Sequence, residues 1–451
     1  MMIRLRSMIV LLTGLLAAAP ALADPPAPKI DTGDTAWMLA STALVLMMTV
    51  PGLALFYAGM VRKKSVLATM MQSFTVCCLV TIVWMVAGYS IAFTNGTPYL
   101  GDMSRLFLNG LGAEWDKPFS LGGSIGSAIQ TTIPETVYMM FQMTFAIITP
   151  ALITGAFADR MKFSALLVFM TLWSLFVYSP IAHWVWSATG WLGAGVFGLP
   201  GAADFAGGTV VHINAGIAGL MCALVLGRRV GFGQDNMAPY NVSYAVIGAS
   251  LLWVGWFGFN AGSALGANGR AGMALAVTQI ATAAAALAWA FAEWGAKGKP
   301  SVLGAASGAV AGLVAITPAS GFVLPGPALL IGIVAGVGCF WAATSLKHLL
   351  RYDDSLDCFG VHGVGGIIGA LLTGVFAFGP LTATAQAPQG VSIGGLPQFE
   401  AQVIAVFSTL IYSGIMTLII LMITKATVGL RVGEEEEREG LDLVLHGEQI
   451  F

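Results

Sequence analysis

Two histidines occupy matching positions in apolar stretches of the 451-residue sequence. His212 and His362 each follow a valine, and the same residue types recur at the same offsets after both: Gly216, Ile217 and Gly219, and Gly366, Ile367 and Gly369. A neutral imidazole both donates and accepts hydrogen bonds, which suits a small polar substrate that exchanges protons. A metal site would need a third protein ligand, and no Cys, Asp or Glu nearby obviously completes one. A hydrogen-bonded core role is the alternative for either histidine, and their repetition counts against it.

An aspartate precedes each histidine by eight positions: Asp204 precedes His212, and Asp354 precedes His362. Asp204 opens the stretch 204–209 just before an apolar segment, so its carboxylate is expected to cap the amides of a first helical turn. A second interpretation makes it an outer anion that favours cations near an entrance. Both can hold together, and the sequence leaves open whether Asp354 has a function.

Aromatic side chains in three other segments could hold a cation. They fall at helical spacing or at a segment end: Phe141 and Phe145; Trp256 and Phe259, with Ser263 on the same face; and Trp186. A cation that loses water at a pore mouth can be held over aromatic faces, with help from a hydroxyl oxygen. Ordinary packing is the alternative, and it is the usual role of such stripes.

The amino-acid composition indicates whether the segments that carry these residues lie in water or in a membrane. Apolar residues make up 57% of the chain and charged residues 9%, whereas a soluble domain carries about 25% charged residues. Glycine contributes 57 residues, which favours the close helix packing of membrane bundles. The sequence therefore predicts an all-α integral membrane protein rather than a set of soluble domains.

Several functions are excluded on similar grounds. The formal net charge of −2 lacks the basic excess of a nucleic-acid-binding protein. No G-x-x-x-x-G-K-[ST] motif is present, which argues against an ATP-driven pump. The five cysteines have no paired spacing in polar loops, so neither a disulfide framework nor a metal site is expected.

The chain is predicted to cross the membrane eleven times. Residues 1–23 have a basic start, a short apolar run and an A-x-A end, the pattern of a secretory signal peptide; a retained extra helix is the alternative. Residues 24–427 form the transmembrane domain and 428–451 a cytoplasmic tail. The predicted apolar segments are 36–61, 66–93, 130–157, 163–184, 205–227, 243–266, 272–294, 302–319, 328–349, 360–380 and 400–424.

The distribution of basic residues predicts the orientation. With the mature N-terminus outside, eleven spans place the C-terminus in the cytoplasm. After position 23, the outer side then holds only Lys29, Arg105, Lys117 and Arg270, and every other Lys and Arg lies on the inner side. The bias alternates loop by loop, as the positive-inside rule requires.

An internal repeat relates segments one to five, about 36–227, to segments six to ten, about 243–380. Besides the two histidines, a second group of residues recurs in segments one and six: Gly52, Phe56, Ala58 and Gly59, and Gly255, Phe259, Ala261 and Gly262. Because five is odd, the second copy must enter the membrane the opposite way round. Two inverted five-helix repeats followed by a final helix at about 400–424 are therefore predicted, with the substrate path at the repeat interface.

Three blocks of this sequence resemble those of the Amt/Mep/Rh ammonium transporters. They are DFAGGTVVHIN at 204–214, GWFGFNAGS at 255–263 and DCFGVHG at 357–363. Segments 428–432 and 439–442 are similar to the C-terminus of bacterial Amt proteins, and the similarity covers nearly the whole mature chain. One departure is Ala58, where the family usually has glycine; it leaves the site assignments untouched.

The resemblance implies a bacterial inner-membrane transporter of ammonium that is not an enzyme, has no cofactor and assembles as a homotrimer with one pore per subunit. It implies an outer recruitment site at Trp186, Phe145 and Ser263, with Asp204 beside it. It also implies a phenyl gate of Phe145 and Phe259 and a pore lined by His212 and His362. Bacterial members often bind a PII-type regulatory protein at the cytoplasmic face. The acidic run 434–437 is either a solvated tail or, by resemblance, lies among residues that couple the tail to neighbouring subunits.

Three functions follow as alternatives. Carrying an intact ion through an apolar pore costs many kcal/mol, so the first is a transporter that deprotonates NH4+, passes NH3 and relays the proton separately. The second is a passive NH3 channel. The third is an ammonium sensor that signals through its tail, and the short stretch 425–451 argues against it.

Overall fold

The computed structural model describes residues 29–121, 129–382 and 394–450. The helices, numbered along the chain, are α1 Thr32–Met60, α2 Lys63–Phe93, α3 Glu135–Phe157, α4 Phe163–Ala194, α5 Gly208–Leu226, α6 Val242–Gly262, α7 Gly269–Lys297, α8 Val302–Ile316, α9 Pro325–Leu350, α10 Phe359–Phe376, α11 Leu396–Thr427, α12 Glu434–Glu439 and α13 Leu441–His446. Short helical turns also lie in loops, at Leu106–Leu108, Leu111–Glu114 and Gly379–Thr382. The predicted signal peptide 1–23 lies outside the described residues.

Ten helices in the described parts of the chain are long and apolar enough to cross a membrane. Helix α8 has only 15 residues, fewer than the about 20 that a spanning helix needs, and hydrogen-bonded turns extend it to Phe322. The predicted all-α membrane fold is confirmed, whereas the count of eleven depends on α8.

The third predicted segment, 130–157, begins too early. Strands β1 Pro118–Leu121 and β2 Ile129–Pro134 pair antiparallel as a small hairpin. Pro134, at φ −63° and ψ 151°, ends the strand and precedes the first turn of α3. The apolar run therefore contains a strand that hydropathy alone does not separate from the helix.

Two helix crossings join the halves of the bundle, and glycines make both of them close. A Cβ atom on Gly59 of α1 would lie 2.4 Å from the backbone nitrogen of Ala245 in α6, and one on Gly216 of α5 would lie 2.3 Å from that of Gly363 in α10. Backbone atoms at these distances leave no room for a side chain. The first helices of the two predicted repeats thus pack together, as do the fifth helices.

The C-terminal tail packs against the first turn of α2 through a carboxylate. Asp442 accepts hydrogen bonds from the amides of Leu67 and Ala68, at 3.1 and 2.7 Å. Glu437 is 1% exposed and pairs with Arg431 at 2.7 Å. The acidic run is therefore divided, because Glu437 is buried and paired while the preceding three glutamates are exposed.

Candidate functional site

His212 and His362 lie face to face in the centre of the molecule. Their ring centroids are 5.4 Å apart and their planes differ by 18°, and the side chains belong to residues only 1% and 3% exposed. Both ring nitrogens of His212 and Nδ1 of His362 have no hydrogen-bond partner among the described residues. Buried polar atoms are nearly always satisfied by protein, water or a ligand, so this pair can serve a small polar molecule.

The histidines meet because α5 and α10 both begin inside the bundle. Each helix opens with a π-helical turn, Gly208–Ile213 and Phe359–Gly363, and each of these turns contains one histidine. The two helices run antiparallel, and residues 201–210 before and within the first turn are all buried. Irregular backbone at membrane depth is tolerated where protein surrounds it. Hydropathy alone does not predict that α5 and α10 begin inside the bundle rather than at its surface.

Asp204 caps the start of α5. Its carboxylate accepts hydrogen bonds from the amides of Gly207, Gly208, Thr209 and Val210, at 2.5 to 3.1 Å, and from the Thr209 hydroxyl. The N-cap interpretation is therefore confirmed. Both carboxylate oxygens are therefore engaged by the start of α5 and are not free to bind a ligand directly.

Asp354 caps α10 in the same way. Its carboxylate accepts from the amides of Cys358 and Phe359, at 3.0 and 2.7 Å. Nearby, Lys347 pairs with Asp357 at 2.5 Å. Burial, with the charge of Asp357 adding to it, raises the pKa of the Asp354 carboxyl to about 6. The residue that the sequence left without a role thus caps the second helix.

A series of aromatic rings leads to the histidine pair. Trp186 meets Phe145 edge to face at 5.7 Å between centroids, and Phe145 lies on Phe259 at 4.2 Å with 33° between planes. Phe259 is stacked 6.1 Å from His212. Phe145 and Phe259 are buried, whereas Trp186 and Ser263 are partly exposed. We call the end of the bundle that holds Trp186 and Ser263 the outer end, after its predicted side, and the opposite end the inner end.

Hydrogen bonds orient the partly exposed residues. The indole N–H of Trp186 donates to the carbonyl of Asp204 at 2.8 Å, which ties the ring to the capped start of α5. The Ser263 hydroxyl donates to the carbonyl of Phe259 at 2.8 Å. Its lone pairs thus remain able to accept from a cation.

The sequence gives no indication of the hydrogen bond that fixes Trp256 against the histidine pair. Trp256 stacks on His212, with centroids 5.4 Å apart and 20° between planes, and its indole N–H donates to the Thr317 hydroxyl at 2.8 Å. Thr317 lies 61 positions from Trp256 in no recognisable motif, so only the fold joins them. Within the described residues no group of three or more His, Cys, Asp or Glu side chains could hold a metal ion.

Comparison with known proteins identifies the architecture. The profile of the Ammonium Transporter Family matches residues 36–451. An ammonium transporter of Aquifex aeolicus (strain VF5) is 51% identical over 423 residues, which are 94% of each chain. One of Bacillus subtilis (strain 168) is 46% identical over 94% of this chain and 99% of that protein.

Solved structures show similarity to the same family. The crystal structure of Saccharomyces cerevisiae Mep2 has a TM-score of 0.79 at 36% identity and covers 90% of this chain and 91% of that chain. A structure described as "Sensor Amt Protein" has a TM-score of 0.80 at 26% identity and covers 92% and 98%. The chain therefore belongs to the ammonium transporter family, whose members are membrane transporters rather than enzymes.

Proposed function

We propose that this chain recruits NH4+ at its outer end, removes a proton from it and passes NH3 along the histidine pair, with the proton relayed separately. Recruitment is assigned to Trp186, Phe145 and Ser263. A desolvated cation over an aromatic face gains about 2 kcal/mol or more, and the Ser263 oxygen can accept one of its hydrogen bonds. Asp204 lies beside this site, since its backbone carbonyl accepts the hydrogen bond of the Trp186 indole. Its carboxylate adds electrostatic attraction for a cation.

The phenyl gate is assigned to Phe145 and Phe259. The two ring centroids are 4.2 Å apart, and a phenyl ring carries no polar atom that could replace the water around an ion. An ion that crosses such a region intact loses its hydration without replacement, at a cost of several kcal/mol. Ammonium avoids this cost by leaving its proton behind, and potassium cannot.

The parallel, buried histidine pair carries this proposal. Its imidazoles come from corresponding positions in two capped helices and have ring nitrogens without protein partners in the described part of the chain. Each neutral ring offers one donor and one acceptor, so NH3 can exchange hydrogen bonds along the pair. Two imidazoles in contact also form a coupled titrating unit that can pass a proton.

Two other functions remain as alternatives. In a passive NH3 channel the same pore conducts the neutral molecule and no charge moves. In an ammonium sensor the site binds the ion and the tail signals. The similarity to the Sensor Amt Protein covers 92% of this chain and is compatible with each of these functions.

Partners follow from the same proposal. We propose a homotrimer in the bacterial inner membrane, with the N-terminus outside and the C-terminus in the cytoplasm. A PII-type protein would bind the inner end, where the exposed glutamates of α12 lie beside the buried Glu437. The distribution of basic residues supports this orientation.

Histidine variants test the proposal in proteoliposomes. We expect His212→Ala or His362→Ala to reduce ammonium transport at least about tenfold, equivalent to about 1.4 kcal/mol, or to admit K+. His348→Ala is the matched control, because this histidine is exposed at the inner end of α9, and it should transport normally. Unchanged flux and selectivity in both pore variants would refute the proposal.

A further inference from the structure

Trp186 of the assigned recruitment site lies at a break in α4. The next residue, Ser187, has an extended backbone with φ −75° and ψ 149°, and helical structure resumes at Trp191. A Cβ atom on Gly190 would lie 2.5 Å from the carbonyl oxygen of Trp184, so the chain folds back closely on the end of the helix. The position of Trp186 therefore depends on whatever holds this break, and not on a continuous helix alone.

The loop between α2 and β1 supplies that support through a short segment, residues 97–100, which we call the outer turn. The carbonyl of Pro98 accepts a hydrogen bond from the amide of Trp191 at 3.2 Å. The carbonyl of Tyr99 accepts one from the indole N–H of Trp184 at 2.9 Å. Two successive carbonyl groups of the outer turn thus bind α4 on both sides of the break.

His183 adds a third contact with the same turn. Its Nε2 lies 2.9 Å from the carbonyl oxygen of Thr97, and its Nδ1 lies 3.0 Å from that of Ala92 near the end of α2. A neutral imidazole donates from one of these two nitrogens, and either choice ties α4 to the chain around the end of α2. The residue is 0% exposed, so water does not compete for these acceptors.

Hydrogen bonds within the outer turn fix its shape. The hydroxyl of Thr97 accepts from the amides of Tyr99 and Leu100, at 3.2 and 3.1 Å. The amide of Thr97 donates to the carbonyl of Leu100 at 2.9 Å, and Pro98 restricts the backbone between them. Threonine hydroxyls and prolines stabilise tight turns in this way. The outer turn therefore presents its carbonyl groups to α4 at defined positions.

The contacts of Trp186 with the site are made on its other side. Its indole N–H donates to the carbonyl of Asp204 at 2.8 Å, and its ring meets Phe145 at 5.7 Å between centroids. These contacts keep their geometry only while the backbone under Trp186 stays in place. A binding site that is about 1 Å too loose in its supporting residues loses function.

We propose that the outer turn positions the recruitment site, and that Trp184 and His183 transmit its position to Trp186. Both are positioning residues, because they act through the backbone that carries Trp186. The inference rests on the proposed function, since it requires Trp186 to take part in binding ammonium. It predicts that loosening the outer turn weakens the apparent affinity for ammonium more than it slows maximal transport.

The concentration dependence of ammonium transport in proteoliposomes tests this inference. Trp184→Phe keeps an aromatic ring and removes the N–H that binds Tyr99. We expect the half-saturating ammonium concentration to rise about three- to tenfold, as the loss of one hydrogen bond implies, with the maximal rate nearly unchanged.

Trp191→Phe is the matched control. It makes the same exchange in a ring whose centroid lies 5.6 Å from that of Trp184, but the indole nitrogen of Trp191 has no hydrogen-bond partner in the described part of the chain. Its backbone amide, which binds Pro98, is retained. The half-saturating concentration should therefore stay at the wild-type value, and an equal rise in both variants would contradict the inference.

A second pair of variants alters the outer turn where folding is not at risk. Thr97 is exposed, and Thr97→Val keeps its volume while removing the hydroxyl that accepts from two amides. We expect the half-saturating concentration to rise about two- to threefold. Thr97→Ser keeps the hydroxyl and should restore the wild-type value. A rise in Thr97→Ser as large as that in Thr97→Val would count against the inference.

A double variant separates positioning from a general loss of stability. In a Trp186→Ala background, Trp184→Phe should raise the half-saturating concentration no further, because the residue it positions is absent. A further rise of full size would overturn the inference, as would a Trp184→Phe protein that has a lower Tm but an unchanged half-saturating concentration. If Trp186→Ala alone leaves that concentration unchanged, the recruitment site is wrongly assigned, and the inference fails with it.

Discussion

The starts of α5 and α10 share one geometry in two different surroundings. In both, an aspartate caps a π-helical turn that carries one histidine of the facing pair. Asp204 is satisfied by four amides and a hydroxyl. Asp354 accepts from two amides, and Lys347 and Asp357 lie beside it. The two helix starts thus share the cap and the histidine but not the electrostatic environment.

This difference gives the two carboxylates distinct surroundings. The Asp204 carboxylate is held by many donors, next to the residues assigned to recruit a cation. The inner carboxylate has a pKa raised to about 6 by burial and by Asp357, so its charge changes close to physiological pH. The titration of Asp354 thus makes the start of α10 sensitive to pH.

The largest effect is expected where the two helices touch. A Cβ atom on Gly216 would lie 2.3 Å from a backbone nitrogen, whereas one on Gly366 would first meet the Ile213 side chain at 2.9 Å. Gly216→Ala should therefore separate the helices, lower stability by about 3 kcal/mol and reduce transport at least about tenfold.

Gly366→Ala is the matched comparison, and it should cost less, about 1 kcal/mol, because the Ile213 side chain can move aside and the nearest backbone atoms, the Gly208 oxygen and the Ile213 nitrogen, lie at 3.1 Å rather than 2.3 Å. Thermal unfolding and uptake measurements on both variants check this order. Equal effects would show that the two sides of the crossing are not distinguished by packing.

Removal of the two helix caps should have the next largest effect on stability. Asp204→Ala leaves four amides without their acceptor, so we expect a loss of about 2 kcal/mol, against about 1 kcal/mol for Asp354→Ala. Asp204→Asn, which keeps one acceptor oxygen, should recover part of the loss. A larger loss from Asp354→Ala would contradict the difference in hydrogen bonding.

The titration of Asp354 gives a smaller, pH-dependent effect. Because its folded pKa is raised above the unfolded value of 3.8, its contribution to stability is present below about pH 4 and is lost as pH rises to about 6. The Tm of the wild type should therefore fall by about 2–4 °C, relative to that of Asp354→Asn, over this window.

Above pH 6 the difference in Tm between the two proteins should be constant. In Asp357→Asn the window should move to lower pH, because the charge that helps burial to raise the pKa of Asp354 has been removed. A difference that is flat from pH 4 to pH 8 would exclude titration of Asp354 in this range.

The smallest effect is expected at Thr317. Thr317→Val removes the acceptor of the Trp256 indole while keeping the side-chain volume. We expect transport to fall about two- to threefold, which is less than 1 kcal/mol, since His212 keeps its stacking partner but in a less fixed orientation. Trp253, whose indole bonds to the exposed Gln279 at 3.0 Å, offers a control: Gln279→Ala should leave transport unchanged.

Much of the fold is accessible from sequence because the membrane imposes simple rules. Apolar length gives the helices, and the spacing around His212 and His362 gives the repeat. Hydropathy misses the strand at Ile129–Pro134 because a short apolar run fits a strand or a helix equally.

The site is less predictable than the helices that carry it. Spacing identifies the histidines and the aspartate caps, but it does not show that α5 and α10 begin inside the bundle. Nor does it show that Thr317 holds Trp256, since that contact joins distant parts of the chain. Such long-range contacts depend on helix crossings, and a single sequence carries no record of them.

The transient current after an ammonium jump, recorded on purified protein in liposomes, tests the proposed proton relay. We expect a current with ammonium and none with potassium in the wild type, and in His212→Ala and His362→Ala either a lost ammonium current or a current with potassium as well. Internal alkalinisation without current would contradict the proton relay and indicate a passive NH3 channel. Neither current nor alkalinisation would contradict transport itself and favour the sensor.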